Sequence, residues 1–140
     1  MIKRLIKWRG PKPCVVTIIT KKNKVYLTKR SKFTLERGKW CPPGGHIQHG
    51  ETAKHAAVRE LKEESGFEAK NTKFLFYFDE IIPKMGVSNT LLVFEANISG
   101  KEKTNWEVSD SGWFNEKETG ELDMAFRYKE VLKKFFEIKK

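Results

Sequence analysis

Three glutamates, Glu60, Glu63 and Glu64, fall within one turn of a predicted helix that runs from Thr52 to Ser65. At about 100° per residue they span an arc of about 100° and therefore share one face of that helix. Like charges at this spacing repel each other and weaken an isolated helix. Hard carboxylate oxygens gathered on one exposed face suit Mg²⁺ or Mn²⁺, which also retain waters for a phosphate substrate. The pattern therefore predicts metal-assisted phosphate chemistry.

A longer pattern surrounds these glutamates. It consists of a glycine, five residues, a glutamate, seven residues, Arg-Glu, an aliphatic residue, any residue, Glu-Glu, any residue, a glycine and an apolar residue. The residues at those positions are Gly45, Glu51, Arg59, Glu60, Leu61, Glu63, Glu64, Gly66 and Phe67. Every defined position resembles the Nudix box, the signature of the Nudix hydrolases. A chance match to so many fixed positions is improbable, whereas a lone glycine-rich turn would be weak support.

The resemblance implies an α/β fold: an α/β/α sandwich with a mixed β-sheet and a loop–helix–loop metal site, in a single domain over residues 1–140. The order of the predicted elements agrees with this architecture. The predicted strands are Pro13–Thr20, Val25–Lys29, Phe74–Pro83, Thr90–Ile98 and Ser109–Asn115, and the predicted helices are Thr52–Ser65 and Leu122–Ile138. Residues 42–45, Pro-Pro-Gly-Gly, predict a rigid turn in which the glycines allow unusual backbone angles.

The predicted metal ligands come from the helix and from the segment ahead of it. Glu60 and Glu64 are the first candidates, because they lie four residues apart on one face. Glu63, at the edge of that face, is expected to be a bridging ligand or a proton acceptor. The resemblance also implies that the backbone carbonyl of Gly44 is a ligand.

Other residues would complete the catalytic site. In the family the positions of Arg59 and Glu51 mostly hold the loop and the helix together, and an arginine–carboxylate fork would supply that geometry. Family members often place the general base on a later loop, where Glu107 and Asp110 are the candidates. The commoner family form has glutamate in place of Trp106 and often in place of Asp110, so the identity of the base stays open.

The net charge of +10 is unevenly distributed. Residues 1–44 contain 13 Lys or Arg and one acidic residue, whereas residues 45–140 contain 15 basic and 17 acidic residues. Such a field favours a polyanionic substrate such as a nucleotide and would also attract RNA. Arg30, Lys32 and Lys39 are the predicted phosphate contacts. Residues 1–9 alternate basic and apolar side chains, for which a packed strand or turn is favoured over contact with a membrane or nucleic acid.

Composition argues against several other classes of protein. The longest β-rich apolar run, residues 15–19, is too short for a secretory signal or a membrane span, so we expect a cytoplasmic protein with no membrane partner. Cys14 and Cys41 lack the spacing of a disulfide framework or a zinc site and are predicted to be reduced thiols. No P-loop motif supports an ATPase. Family members are often dimers, which leaves a homodimer open, although no interface is identifiable.

The motif predicts a reaction rather than a leaving group. We favour cleavage of the diphosphate linkage of a nucleoside diphosphate joined to a group X, with ADP-ribose or a nucleotide sugar as the substrate. Pro83 lies 16 residues after Phe67, and a proline near that offset resembles the ADP-ribose pyrophosphatase subgroup. The alternatives are a MutT-like nucleoside triphosphate pyrophosphohydrolase and an RNA 5′-end pyrophosphohydrolase. A non-catalytic module that binds nucleotides or RNA is a hypothesis of another class, and the acidic cluster argues against it because it repels phosphates.

Overall fold

The computed structural model describes residues 8–140, which form seven strands and three α-helices. The strands are β1 (Lys12–Lys21), β2 (Lys24–Arg30), β3 (Trp40–Cys41), β4 (Gly44–His46), β5 (Glu68–Ile82), β6 (Val87–Ser99) and β7 (Val108–Phe114). The helices are α1 (Ala53–Ser65), α2 (Glu116–Glu121) and α3 (Tyr128–Ile138), and a 3₁₀ turn at Pro83–Met85 joins β5 to β6. The predicted strand or turn at residues 1–9 lies mostly outside the described residues, which begin at residue 8.

The sheet is mixed, as the sequence predicts. Its strand order is β3–β2–β1–β6–β5, with β4 paired to β1 and β7 paired to β2. The pairing of β1 with β6 is parallel, whereas β1 pairs with β2 and β4 in the antiparallel sense. The central position of β1 lets it contact strands on both sides and places β4 beside the middle of the sheet.

Side chains of β1 are buried on both faces of the sheet because successive residues of a strand point in opposite directions. Val15 packs against α1, and Ile19 packs beside Leu61 of the same helix. Val16 and Ile18 belong to the core formed with α3 on the other face. The sheet is thus covered by helices on both sides, which confirms the expected α/β/α sandwich.

The local signals at turns and helix ends predict the structure well. Lys22 and Asn23 have φ of +51° and +63°, the combination that a type I′ hairpin turn requires. Thr52 caps the start of α1, since its hydroxyl accepts a hydrogen bond from the backbone N–H of His55 at 3.1 Å. Gly66 ends the helix with φ of +82°.

The predicted helix over Leu122–Ile138 is wrong in its first part. The backbone N–H of Trp40 donates to the carbonyl of Asp123 at 3.0 Å, and the N–H of Ala125 donates to the carbonyl of Trp40 at 2.8 Å. Phe126 then has φ of +48°, outside the helical region. Because this bridge uses the main-chain groups that a helix would pair internally, α3 begins only after it.

Two further element boundaries differ from the prediction. The helix α2 was not predicted, although Asn115 and Glu118 form a capping box that the Asn-x-x-Glu sequence indicates. Strand β5 begins at Glu68 rather than at Phe74. Its first part is polar and its register shifts after Lys70, features that an edge strand tolerates and that hide the strand from a pattern search.

Two expectations from composition can be compared with the structure. Cys14 and Cys41 are buried free thiols, as predicted. Burial raises the pKa of Cys14 to about 12 and that of Cys41 to about 11, so both stay protonated and inert near neutral pH. None of the helices in residues 8–140 is long and apolar enough to cross a lipid bilayer.

We expect the substitution Gly66→Ala to destabilise the protein more than Gly86→Ala. Both glycines have positive φ, which costs a residue with a Cβ atom about 1–2 kcal/mol. A Cβ at Gly66 would also overlap the backbone nitrogen of Lys103, whereas a Cβ at Gly86 would meet open space. Urea denaturation of the two variants measures the difference. Equal losses of unfolding free energy would show that the Lys103 backbone moves away at no cost.

Candidate active site

The two glycines of β4 bring a strand unusually close to its neighbours. Gly44 pairs with Val16 of β1, and Gly45 pairs with Val15. The prediction of unusual backbone angles at these glycines is wrong, since neither glycine has positive φ. A Cβ at Gly44 would instead overlap the carbonyl oxygen of Val15, and one at Gly45 would overlap the carboxylate of Glu60. Glycine is therefore required here for close approach rather than for backbone conformation.

The helix α1 turns its acidic face toward this glycine strand. Glu64 is only 4% exposed, and its Oε2 accepts a hydrogen bond from the backbone N–H of Gly44 at 3.0 Å. The side chain of Glu60 is 13% exposed and that of Glu63 is 47% exposed. The expectation of an exposed face is therefore correct for Glu63 but wrong for Glu64.

Glu60 and Glu64 form a close pair of carboxyl groups. Burial raises the pKa of Glu64 well above its usual range, and the charge of Glu60 and a hydrogen bond between the two carboxyls raise it further. Burial also raises the pKa of Glu60, while that hydrogen bond and the charge of Arg59 act in the opposite direction. Both shifts favour uptake of a proton by the pair, because two buried like charges close together are costly.

Arg59 ties the loop ahead of α1 to the helix. Its Nε and Nη2 donate to the two carboxylate oxygens of Glu51 at 2.6 and 2.9 Å, which is the fork geometry expected from the sequence. Its Nη1 donates to Glu60 at 3.0 Å and to Glu63 at 3.3 Å, and its Nη2 also donates to the carbonyl of His46 at 3.2 Å. The fork lowers the pKa of Glu51 to about 2.

The carboxylates of α1 are of the chemical type that binds a divalent cation, although these side chains alone do not surround one. Within residues 8–140 no three His, Cys, Asp or Glu side chains are grouped so that they could hold an ion. Glu60 and Glu64 lie together, whereas Glu63 is held against Arg59. A bound divalent cation would offset the repulsion between Glu60 and Glu64, with main-chain oxygen or water as further ligands, which is how Mg²⁺ is usually bound.

A cleft of about 550 Å³ opens beside the glycine strand and is lined by both glycines. Arg30 and Glu107 also line it. The Arg30 guanidinium lies 5.1 Å from the ring centroid of Phe126, and the negative charge of Glu107 contributes to the raised pKa of Glu64. The cleft therefore brings a cationic side chain and the carboxylate of Glu107 to the glycine strand, which lies between the cleft and the acidic pair.

Comparison with known proteins is consistent with this geometry. The family model described as "NUDIX domain" matches residues 9–135. The chain belongs to the Nudix family. Nudix hydrolases act on pyrophosphate bonds.

Individual Nudix relatives cover the chain to different extents. The ADP-ribose pyrophosphatase of Methanocaldococcus jannaschii is 28% identical over 136 residues, which cover 96% of this chain and 78% of the relative. The NAD-capped RNA hydrolase NudC of Vibrio parahaemolyticus is 28% identical over 108 residues, covering 76% of this chain but only 39% of NudC. The crystal structure of the MutT protein from Methanosarcina mazei Go1 superposes with a TM-score of 0.83 at 19% identity, covering 96% of this chain and 99% of that one, and shows the fold.

Most predicted residues of the Nudix site do not line the cleft: besides Asp110, Lys39 and Lys32, its wall lacks Glu51, Arg59, Glu60, Glu63 and Glu64. Asp110 is exposed on β7, where it pairs with Lys29 of β2. Lys39 forms an ion pair with Glu36 at 2.7 Å, and Lys32 is also absent from the cleft wall. Of the candidate phosphate contacts, Arg30 alone contributes to the cleft. Of the two candidate bases, the structure brings Glu107 but not Asp110 to it.

Glu80, a buried carboxylate in the same cleft, is not among the residues that the sequence predicts for the site. It lies near the end of β5, where its Oε1 accepts a hydrogen bond from the side chain of Asn89 at 2.9 Å. The available signal was the acidic pair Asp79-Glu80 between apolar residues of the predicted strand Phe74–Pro83. Nothing in the linear pattern placed it in the same cleft as the glycine strand.

We expect Glu51→Gln to lower the thermal stability at neutral pH, and we expect the loss to disappear in acid. Because the pKa of Glu51 is lowered to about 2 in the folded protein, its contribution to stability is complete above its unfolded pKa of about 4.5. That contribution is lost as the pH falls from about 4.5 toward 2. Unfolding midpoints of the two proteins between pH 7 and pH 2.5 measure the gap. A gap that stays constant over this range would contradict the role of the charged fork.

Proposed function

We propose that this protein is a divalent-metal-dependent hydrolase that cleaves the diphosphate linkage of a nucleoside diphosphate joined to another group. ADP-ribose or a nucleotide sugar is the favoured substrate class, and Mg²⁺ or Mn²⁺ the favoured cofactor. The observation that carries the proposal is the buried pair Glu60–Glu64, pressed against a glycine strand at the wall of a cleft. Family membership supports the reaction class.

The acidic pair supports a metal site because it is otherwise an expensive arrangement. Two carboxyl groups share a buried position with one backbone N–H and one guanidinium as partners. We assign Glu60 and Glu64 as metal ligands, with the carbonyl of Gly44 as a further ligand and Glu63 as a ligand or proton acceptor after release from Arg59. A bound divalent cation would neutralise the phosphoryl oxygens and lower the pKa of a water molecule.

The remaining residues have roles that follow from their positions. Arg59 and Glu51 hold the loop and α1 in register, so their effect on the reaction is exerted through the ligands. Arg30 faces the cleft and would bind phosphate oxygens through its fixed fork of donors. Glu107 is the favoured general base, since it lines the cleft and its charge acts on Glu64. Asp110, exposed on β7, is the weaker candidate.

The favoured substrate class is supported by the relative that covers nearly the whole chain, an ADP-ribose pyrophosphatase. The 3₁₀ turn that begins at Pro83 leads into Met85 and Gly86, which line the cleft. The proline that suggested this subgroup therefore shapes the cleft wall. We propose that the nucleotide lies along this cleft with its diphosphate at the glycine strand.

RNA with a modified or triphosphorylated 5′ end is the second candidate substrate. It is supported by the likeness to NudC, named as an NAD-capped RNA hydrolase, and by the excess of basic residues before residue 45. A non-catalytic binding module would have the same basic surface, but it gains nothing from the carboxylate pair. Salt-sensitive RNA binding that survives replacement of both Glu63 and Glu64, without any hydrolysis, would favour that module.

We expect Glu64→Gln to reduce kcat/KM by about 100-fold or more while the protein stays folded, as when an electrostatic group is removed from a preorganised site. Magnesium should raise the unfolding temperature of the wild type, because it binds the folded state, and should raise that of E64Q much less. Glu68→Gln is the control, since Glu68 is exposed and pairs with Lys62. Equal activity of E64Q and wild type at limiting magnesium would refute the ligand assignment.

A substrate panel tests the favoured class. The panel contains ADP-ribose, nucleotide sugars, nucleoside triphosphates, dinucleoside polyphosphates and 5′-triphosphate RNA, each with magnesium. We expect the highest kcat/KM for ADP-ribose or a nucleotide sugar, with a nucleoside monophosphate as one product. A higher kcat/KM for the triphosphates or the RNA would show that the favoured substrate class is wrong. If no substrate released phosphate or mononucleotide, the proposed reaction would be contradicted.

A further inference from the structure

Glu80 has a carboxylate oxygen that the fold leaves without a partner. The residue is only 3% exposed, and within residues 8–140 its Oε2 has no hydrogen-bond donor. Its Oε1 is occupied by the side-chain amide of Asn89, which lies directly opposite on β6. A buried acceptor without a donor destabilises the folded protein, so its presence calls for a reason.

The surroundings of Glu80 act on its carboxyl group in both directions, and burial is the largest effect. Burial raises its pKa, but the Asn89 amide, the backbone N–H and guanidinium of Arg127 and the charge of Arg30 act in the opposite direction. None of these groups forms a hydrogen bond to Oε2. Oε1 of Glu80 is therefore held by a hydrogen bond, whereas Oε2 is an acceptor without a donor.

Glu80 lies in the same cleft as the glycine strand but at a distance from it. Glu80 is on β5, and the sheet runs from β4 through β1 and β6 to β5. Three strand spacings separate the two backbones by about 14 Å. If the diphosphate lies at β4, the part of the substrate that reaches β5 is an end remote from the phosphates, either the base or the group X.

The cleft that Glu80 lines suits an aromatic ring. Trp8 and Phe126 line the same cleft, and the Trp8 side chain is exposed. Aromatic side chains stack on bases and tolerate any ring system. A carboxyl oxygen without a donor in the same cleft favours an N–H group over a phosphate group as its partner. The distance from β4 favours a purine, which is the longer class of base.

We propose that Glu80 is a specificity residue whose Oε2 accepts a hydrogen bond from an N–H group of a purine base. Asn89 positions the carboxylate through its bond to Oε1. The inference rests on the proposed function for the direction in which the nucleotide lies. It adds the part of the substrate that this end of the cleft recognises.

Calorimetric binding of mononucleotides tests the inference without requiring hydrolysis. The ligands are AMP, GMP and purine riboside 5′-monophosphate, which keeps the ring, ribose and phosphate but has no N–H group on the base. Glu80→Met removes the acceptor and fills a similar volume, and Glu80→Gln is a second variant in case the first does not fold. Asp79→Asn is the matched control, because Asp79 is the next residue on β5 and is exposed.

For the better-bound of AMP and GMP, we expect E80M to weaken binding about 10-fold or more, the effect of losing a hydrogen bond to a charged group. Binding of purine riboside 5′-monophosphate should change less than about twofold, and D79N should change neither. Equal weakening of all three ligands, or no measurable binding of AMP and GMP, would overturn the inference. The experiment measures binding and not hydrolysis. A failure to hydrolyse any substrate would therefore contradict the proposed function without deciding whether Glu80 recognises the base.

Discussion

The burial of two adjacent carboxyl groups on α1 is the constraint on which the arrangement of the rest of the site depends. Desolvation and mutual repulsion both disfavour the charged forms of Glu60 and Glu64, and the protein supplies few compensating donors. The Gly44 N–H and the Arg59 guanidinium are the main ones. An arrangement that is unfavourable for folding is retained where function needs it, and a carboxylate pair of this kind is suited to a doubly charged ion.

Local sequence signals predicted the frame of this site because local physics decides it. The threonine cap, the glycine stop and the spacing of the glutamates together specify α1, and the residues of the β1–β2 turn specify the hairpin. The environment of the acidic face depends instead on a contact with β4, 20 residues away. Spacing could show that Glu64 lies on the same face as Glu60, but it could not show that a strand covers that face.

The sequence-based errors have the same origin in contacts between distant segments. Residues 122–127 have helix-forming side chains, yet backbone hydrogen bonds to Trp40 prevent a helix there. Gly44 and Gly45 were assigned to a turn because glycine permits unusual angles, whereas the structure uses their lack of a side chain. Glu80 sits in a sequence context that predicts only a strand. In each case the decisive neighbour is remote in sequence, so propensity and periodicity carry no information about it.

The distribution of charge could not show which basic residue ahead of α1 lines the cleft. A register shift in the sheet determines it. The pairing of β2 with β7 shifts register between Lys29 and Arg30. Such a bulge re-aims the side chains that follow it. Lys29 lies 5.9 Å from the Trp40 ring, whereas Arg30 lines the cleft. Because the same shift pairs Arg30 with Val108, it also brings the neighbouring Glu107 to the cleft, so one bulge accounts for both the cation and the candidate base.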